Sequence, residues 1–110
     1  MVERRRTHRF LFEAPVELTL EKSHDRIAAI TADIGPHGCF VKTEFSFPVG
    51  CTVKVNIIEK NRSFSATGEV TYIVTQDGVG IRFLNMRAAD SAVLEEWVAE
   101  QSCEPLLLRS

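Results

Sequence analysis

The sequence lacks the features of disulfide-stabilised, zinc-binding and membrane-spanning proteins. Its three cysteines, Cys39, Cys51 and Cys103, are an odd number without a C-x-x-C spacing, which argues against a disulfide framework or a zinc knuckle. No apolar run approaches the roughly 20 residues that a helix needs to cross a bilayer. We therefore expect reduced thiols, a cytoplasmic location and no membrane partner.

The sequence also lacks a recognisable set of catalytic groups. An active site needs a nucleophile with its base, a pair of carboxylates or a metal cluster. The three histidines, His8, His24 and His37, lie far apart in arm or turn segments and have no partners at metal-ligand spacing. We expect surface histidines, of which only His37 lies inside a candidate site, and we predict neither enzymatic activity nor a metal site.

The charge of the chain is small but unevenly distributed. The 110 residues are 45% hydrophobic and 25% charged, as is typical of one soluble domain. The net charge is −2, but residues 1–9 contain four arginines and one glutamate, so they carry +3 and the rest carries −5. A basic arm on an acidic body argues against a general nucleic-acid surface, and we predict no nucleic-acid partner.

Hydrophobic alternation predicts six β-strands. The alternation is clearest at Val16, Leu18 and Leu20, which share one face of the first strand. Short strands at regular spacing indicate a small closed antiparallel barrel, because closure removes exposed sheet edges. The predicted strands cover residues 10–20, 27–34, 39–44, 51–60, 63–75 and 79–83.

The fifth predicted strand is the longest. Its apolar residues recur on one face, which we expect to point inward, and Gly68 on that face marks a bend or bulge of the barrel. These apolar residues are Phe64, Ala66, Val70, Tyr72 and Val74.

After Asn85 the apolar residues no longer alternate but recur at the spacing of a helix. The spacing predicts a terminal helix that caps the barrel, with Trp97 in the core. We expect three segments: a basic arm over residues 1–9, a barrel with its helix over 10–102, and an apolar tail over 103–110. The tail could dock on the barrel or on a second chain, so a homodimer stays open.

Residues 31–41 contain a turn that could bind a ligand. Gly35 and Gly38 allow positive φ and close approach of the backbone to a flat partner, whereas Pro36 fixes φ and removes one N–H. Asp33 places a hydrogen-bond acceptor beside them. The same pattern is typical of an ordinary hairpin or bulge, so the turn alone does not establish a site.

The arginines of the arm supply the matching chemistry. Arginine presents a planar fork that binds phosphate oxygens or the O6 and N7 edge of guanine through two parallel bonds. Arg5 and Arg9 are four residues apart, so both can fold over one ligand, while Asp33 can accept from the N–H groups of guanine. Together they favour a guanine nucleotide over a merely solvated basic tail.

These residues carry a resemblance to a known family. Arg4-Arg5 with Arg9 resembles the RRxxxR box of PilZ domains, and Asp33 with Gly38 resembles the (D/N)xSxxG box, with Gly35 in place of the usual serine. The segments 68–72 and 78–83 resemble late strands of that domain. The resemblance covers nearly the whole chain and implies an all-β fold, a six-stranded PilZ-like barrel with a terminal helix.

The resemblance implies a receptor for cyclic di-GMP, the bacterial second messenger. Arg5 and Arg9 would hold phosphates or guanine edges, Arg4 would assist, and Asp33 would bind one guanine above Gly38. The bound ligand would order the arm and pass the signal to a protein partner.

Two other functions stay open. One is a PilZ-like protein-interaction module with lost or weakened ligand binding, which the missing serine supports. The other is a small barrel for single-stranded nucleic acid. It would need exposed aromatic platforms and a basic groove, whereas here the aromatic residues fall mainly on the inward face and the body is acidic.

Overall fold

The structure is a computed structural model that describes the backbone of residues 9–109 and the side chains of residues 9–101. The described chain forms seven strands followed by one helix. The elements are β1 Phe10–Leu11, β2 Pro15–Leu20, β3 Arg26–Ile34, β4 Gly38–Lys42, β5 Thr52–Glu59, β6 Arg62–Val74, β7 Gly78–Asn85 and α1 Ala88–Arg109.

Strands β2 to β7 form a closed antiparallel barrel. They follow the order β3-β2-β5-β6-β7-β4, and pairing of β3 with β4 closes the ring. The predicted six-stranded barrel with one terminal helix is therefore confirmed. Strand β1 is an additional short strand that pairs with the end of β3, with Phe10 opposite Ile34 and Leu11 opposite Asp33.

The predicted first strand, over residues 10–20, is divided into β1 and β2. The buried hydroxyl of Thr31 bonds to the carbonyl oxygen of Phe12 and accepts from the N–H of Ala14 at 3.0 Å. Backbone bonds from Phe12 N–H to the carbonyl oxygen of Ala32 and from Thr31 N–H to that of Ala14 remain, so the Thr31 side chain fills a local break in the ladder. Alternation continues through this break, since Phe12 and Ala14 are both buried, and it could not reveal the interruption.

The core fills the barrel and extends under α1. Trp97 is fully buried, with its ring 4.9 Å from Phe12 and 6.0 Å from Phe64 between centroids. Its indole N–H donates to Oε1 of Glu59 at 3.2 Å, so the buried polar atom has a partner. The predicted core position of Trp97 is confirmed, and this residue holds the helix against the barrel.

A charged cluster around Arg62 adds to the contact between α1 and the β5–β6 turn. The guanidinium group of Arg62 binds Glu59, Glu96 and Glu100 at 3.1, 3.2 and 2.8 Å, and it lies 5.8 Å from the ring centroid of Trp97. The hydrogen bond from Arg62 lowers the pKa of Glu100. The orientation of the helix thus depends on ionic contacts as well as on the core.

Strand β6 contains two irregularities, and one of them corrects the predicted inward face. The register shifts between Thr67 and Gly68, where a bend was predicted, and again between Val70 and Tyr72. The second shift inserts Thr71 and moves the following side chains to the other face. Tyr72 and Val74 are 44% and 41% exposed instead of inward, and Ile73 on the other face is exposed as well, because the strand here extends beyond its pairing with β5.

Helix α1 continues to Arg109 and so includes most of the segment that the sequence separated as an apolar tail. Side chains beyond residue 101 lie outside the described part, and the docking of that segment stays a prediction. Within the described chain, no helix combines the length and apolar character needed to cross a membrane.

Candidate ligand-binding site

The candidate turn connects β3 to β4, with Pro36 and His37 exposed. Inside the turn, the N–H of Gly35 donates to the carbonyl oxygen of Gly38 at 2.9 Å. The carbonyl oxygen of His37 accepts from the N–H of Phe83 in β7 at 2.8 Å. The turn is therefore held both internally and by a neighbouring strand, which gives its exposed residues a defined position.

Pairing of β1 with β3 brings the two predicted parts of the site together. Leu11 lies opposite Asp33, so Arg9, two residues before Leu11, lies at the same end of β3. Nη1 of Arg9 donates to Oδ1 of Asp33 at 3.1 Å. This contact joins residues that are 24 positions apart in the sequence.

Asp33 is oriented by two donors that use the same oxygen. Besides Arg9, the backbone N–H of Phe40 donates to Oδ1 at 3.1 Å. Within residues 9–101, Oδ2 makes no hydrogen bond or ion pair, and the side chain is 30% exposed. One oxygen thus fixes the carboxylate while the other can accept from a ligand.

A groove of about 320 Å³ lies beside this ion pair. Its volume is at the lower end of the range of small-molecule sites, roughly 300–1,000 Å³. The groove contains three of the predicted site residues, Arg9, Gly35 and Gly38, and Asp33 adjoins it through Arg9. Arg4 and Arg5 lie outside the described residues. The full lining is Arg9, Gly35, Pro36, His37, Gly38, Thr71 and Arg82.

The sequence did not indicate Arg82 as a site residue. Arg82 lies on β7 opposite Gly38 of β4 and extends outward, 58% exposed, with Nη2 at 2.7 Å from Oε1 of Glu69. Its only sequence signal was its outward phase between the inward residues Ile81 and Phe83. That phase becomes informative only when the β4–β7 pairing is known, because this pairing places Arg82 beside the turn.

The prediction that Gly35 and Gly38 adopt positive φ in the turn is wrong. Among the glycines, only Gly50 has a positive φ, 93°, so neither Gly35 nor Gly38 uses the left-handed region. A Cβ atom on Gly38 would lie 2.2 Å from the carbonyl oxygen of Ile81. Close packing of β4 on β7 is therefore sufficient to require glycine at position 38.

Cys39 lies next to the turn but does not offer a reactive thiol. The residue is fully buried, and burial raises the pKa of its thiol to about 12, with Arg9 lowering it and Asp33 raising it to smaller extents. It packs as a small apolar side chain. In the described chain, no group of three or more histidine, cysteine or acidic side chains is placed to hold a metal ion.

A second depression, of about 410 Å³, lies at the start of α1 and includes Asp90. Oδ1 of Asp90 accepts from the N–H of Ser65 in β6 at 2.9 Å, and Oδ2 pairs with Nε of Arg87 at 3.2 Å. Oδ1 thus joins the helix to the barrel, whereas Oδ2 pairs with the residue just before the helix, so both carboxylate oxygens are engaged. We assign this depression a structural role.

The sequence as a whole identifies the family. The sequence profile of the PilZ domain matches residues 3–100. The chain belongs to the PilZ domain family. The matched range contains the groove beside Arg9 and residues 4 and 5. No curated protein sequence matches the chain.

Solved PilZ structures share this fold. The PilZ domain of YcgR from Escherichia coli, solved with c-di-GMP, is similar with a TM-score of 0.73 and 15% identity, covering 93% of this chain and 94% of that one. The PilZ domain of CeSA from a cellulose-synthesizing bacterium has a TM-score of 0.69 and 14% identity, with 86% and 97% covered.

The inhibitor of motility MotI/DgrA of Bacillus subtilis is a longer relative. Its TM-score is 0.74 at 16% identity, and the similarity covers 87% of this chain. This chain spans half the length of MotI/DgrA. Because the identities are low, these likenesses establish the PilZ fold and leave the ligand of this chain to its own residues.

Proposed function

We propose that this PilZ domain is a receptor that binds cyclic di-GMP at the groove beside Arg9 and Asp33, and that it is not an enzyme. The observation that carries the proposal is the Arg9–Asp33 ion pair at this groove, with Oδ2 of Asp33 unengaged within residues 9–101. The c-di-GMP in the similar PilZ domain of YcgR supports the choice of ligand.

The groove offers complementary groups for both parts of this ligand. Cyclic di-GMP contains two phosphates and two guanines. Arg9 from the arm and Arg82 from β7 line the same groove, so two guanidinium groups can bind phosphate oxygens or a guanine edge. We assign Arg4 and Arg5 to the same function, Asp33 to a guanine N–H edge, and Gly35 and Gly38 to the turn beneath the ligand.

The resting contacts of the site are weak enough for a ligand to replace them. An exposed ion pair such as Arg9–Asp33 contributes at most about 1 kcal/mol. A doubly anionic ligand can therefore recruit Arg9 at little cost and draw the preceding arm over the groove. The changed surface would be recognised by a downstream protein, which is a population shift driven by differential affinity.

The first test is direct binding. We expect isothermal titration calorimetry to show binding of cyclic di-GMP in preference to GMP and cyclic di-AMP. The melting temperature should rise, because a ligand present at 100 times its dissociation constant stabilises the folded state by about 2.7 kcal/mol. Absence of both heat and a melting shift would contradict the proposal.

A specific observation keeps the interaction-module alternative open. Gly35 stands where the PilZ box usually has serine, so the hydroxyl group that serine would offer to the ligand is missing. A domain that has lost its ligand could still present its surface to a protein. The Gly35→Ser variant distinguishes a receptor from an interaction module, because an added hydroxyl can raise the affinity for cyclic di-GMP only if the domain binds this ligand.

We expect Gly35→Ser to tighten cyclic di-GMP binding by up to roughly tenfold. A net hydrogen bond contributes about 0.5–1.5 kcal/mol, and the φ of Gly35 is not positive, so no left-handed backbone strain opposes a side chain there. Gly35→Ala is the matched control, since it adds Cβ without the hydroxyl. Equal affinities of the serine and alanine variants, or weaker binding by the serine variant alone, would show that no hydroxyl site exists there.

A further inference from the structure

Strand β6 extends beyond the part of the barrel in which both of its edges are paired. Its pairing with β5 ends at Thr52 opposite Glu69, and Val70 makes the last bonds on that side, with Gly50 and Cys51. Residues 71–74 continue as a strand that pairs with β7 alone. Their other edge has no backbone partner within the described chain.

Ile73 directs its backbone groups toward this open edge. In an antiparallel ladder, alternate residues direct both N–H and C=O to the same side. Val74 pairs with Gly78 of β7, and its carbonyl oxygen accepts from the N–H of Asp77 in the hairpin turn at 2.9 Å. Ile73, one residue earlier, therefore presents one donor and one acceptor on the opposite side.

The open edge is apolar and uncharged. Tyr72, Ile73 and Val74 are 44%, 42% and 41% exposed, and residues 71–76 contain neither a charged residue nor a proline. Charged side chains and prolines are the usual means by which proteins prevent edge strands from pairing with other chains. This segment lacks both, so it can accept another strand.

The segment is complementary to itself. Residues 71–75 read Thr-Tyr-Ile-Val-Thr, which is nearly symmetric about Ile73. In an antiparallel pair of two copies centred on this residue, Tyr72 lies opposite the partner's Val74, and Thr71 lies opposite the partner's Thr75. Aromatic–β-branched and Thr–Thr pairs are both favourable across strands, and a two-fold axis satisfies both copies at once.

We propose that the open edge of β6, residues 71–74, together with Thr75 of the following turn, is a homodimer interface in which two copies pair antiparallel about Ile73. Each Ile73 donates its N–H to the carbonyl oxygen of the partner's Ile73. The two barrels then share one continuous sheet across the interface. This inference does not depend on ligand binding, because it uses only backbone groups and side chains of β6.

The oligomeric state of the full chain tests the interface. Sedimentation velocity over a wide concentration range should show a monomer–dimer equilibrium. Ile73→Lys should raise the dimer dissociation constant by roughly tenfold or more, because two like charges then lie directly opposite each other at the two-fold axis. Ile58→Lys is the matched control, since Ile58 is 50% exposed on β5 and should leave the dimer intact.

Hydrogen exchange on the unmodified protein gives a test that needs no variant. The amide of Ile73 should exchange slowly at concentrations where the dimer forms, and faster after dilution. A protein that stays monomeric at every concentration would overturn the proposal. So would a dimer in which the Ile73 amide exchanges at the same rate before and after dilution.

Discussion

Replacement of Arg9 by alanine is expected to weaken cyclic di-GMP binding by roughly 10- to 200-fold, the consequence of losing charge-assisted hydrogen bonds of about 1.5–3 kcal/mol. The melting temperature of the free protein should change little. Arg9 contacts Asp33 through one Nη1–Oδ1 bond between partly exposed side chains, and such pairs contribute little to stability. Calorimetric titration and thermal melting measure the two effects separately.

Arg26 provides the matched control for this substitution. It also pairs with a carboxylate across neighbouring strands, with Nε at 3.4 Å from Oε2 of Glu17, but it does not line the groove. Arg26→Ala should therefore leave affinity unchanged, because only charge at the groove matters for the ligand. A sharp loss of stability in Arg9→Ala with intact affinity would make Arg9 a structural residue and exclude our assignment.

The barrel was predictable because alternation with a period of two marks one buried face of each strand. Val16 and Leu18 on β2, and Val53 and Val55 on β5, are all buried as their phase requires. Alternation no longer predicts which side chains are buried where the pairing of two strands is irregular. Alternation assigned Tyr72 to the core because it could not reveal the inserted Thr71, whose position is defined only by the register against β7.

The candidate site likewise contains residues that the sequence could predict and one that it could not. Arg9 and Asp33 could be named from their chemistry and from the PilZ resemblance, and β1–β3 pairing brings them together. Arg82 could not be named, because its place beside the turn depends on the β4–β7 pairing that closes the barrel. Residues brought together by closure of a sheet carry no local signal in the sequence.

Gly38 shows how the sequence can single out a glycine while its physical role is misjudged. We expect Gly38→Ala to destabilise the fold by about 1–3 kcal/mol, the usual cost of overfilling a packed site. The added Cβ would lie 2.2 Å from the carbonyl oxygen of Ile81, and backbone of a central strand cannot move away as a flexible side chain could. Thermal or urea unfolding measures this loss.

Binding by the folded variant then decides what the glycine contributes to the ligand. At a temperature where Gly38→Ala remains folded, near-normal affinity for cyclic di-GMP would mean that the glycine is needed by the packing of β4 on β7. Affinity lost together with an unchanged melting temperature would instead mean that the ligand approaches the backbone at this position. Arg9→Ala, expected to lose affinity but not stability, is the contrasting variant. If the two substitutions behave oppositely, the arginine box provides the ligand contacts and Gly38 provides the packing that holds the turn in place.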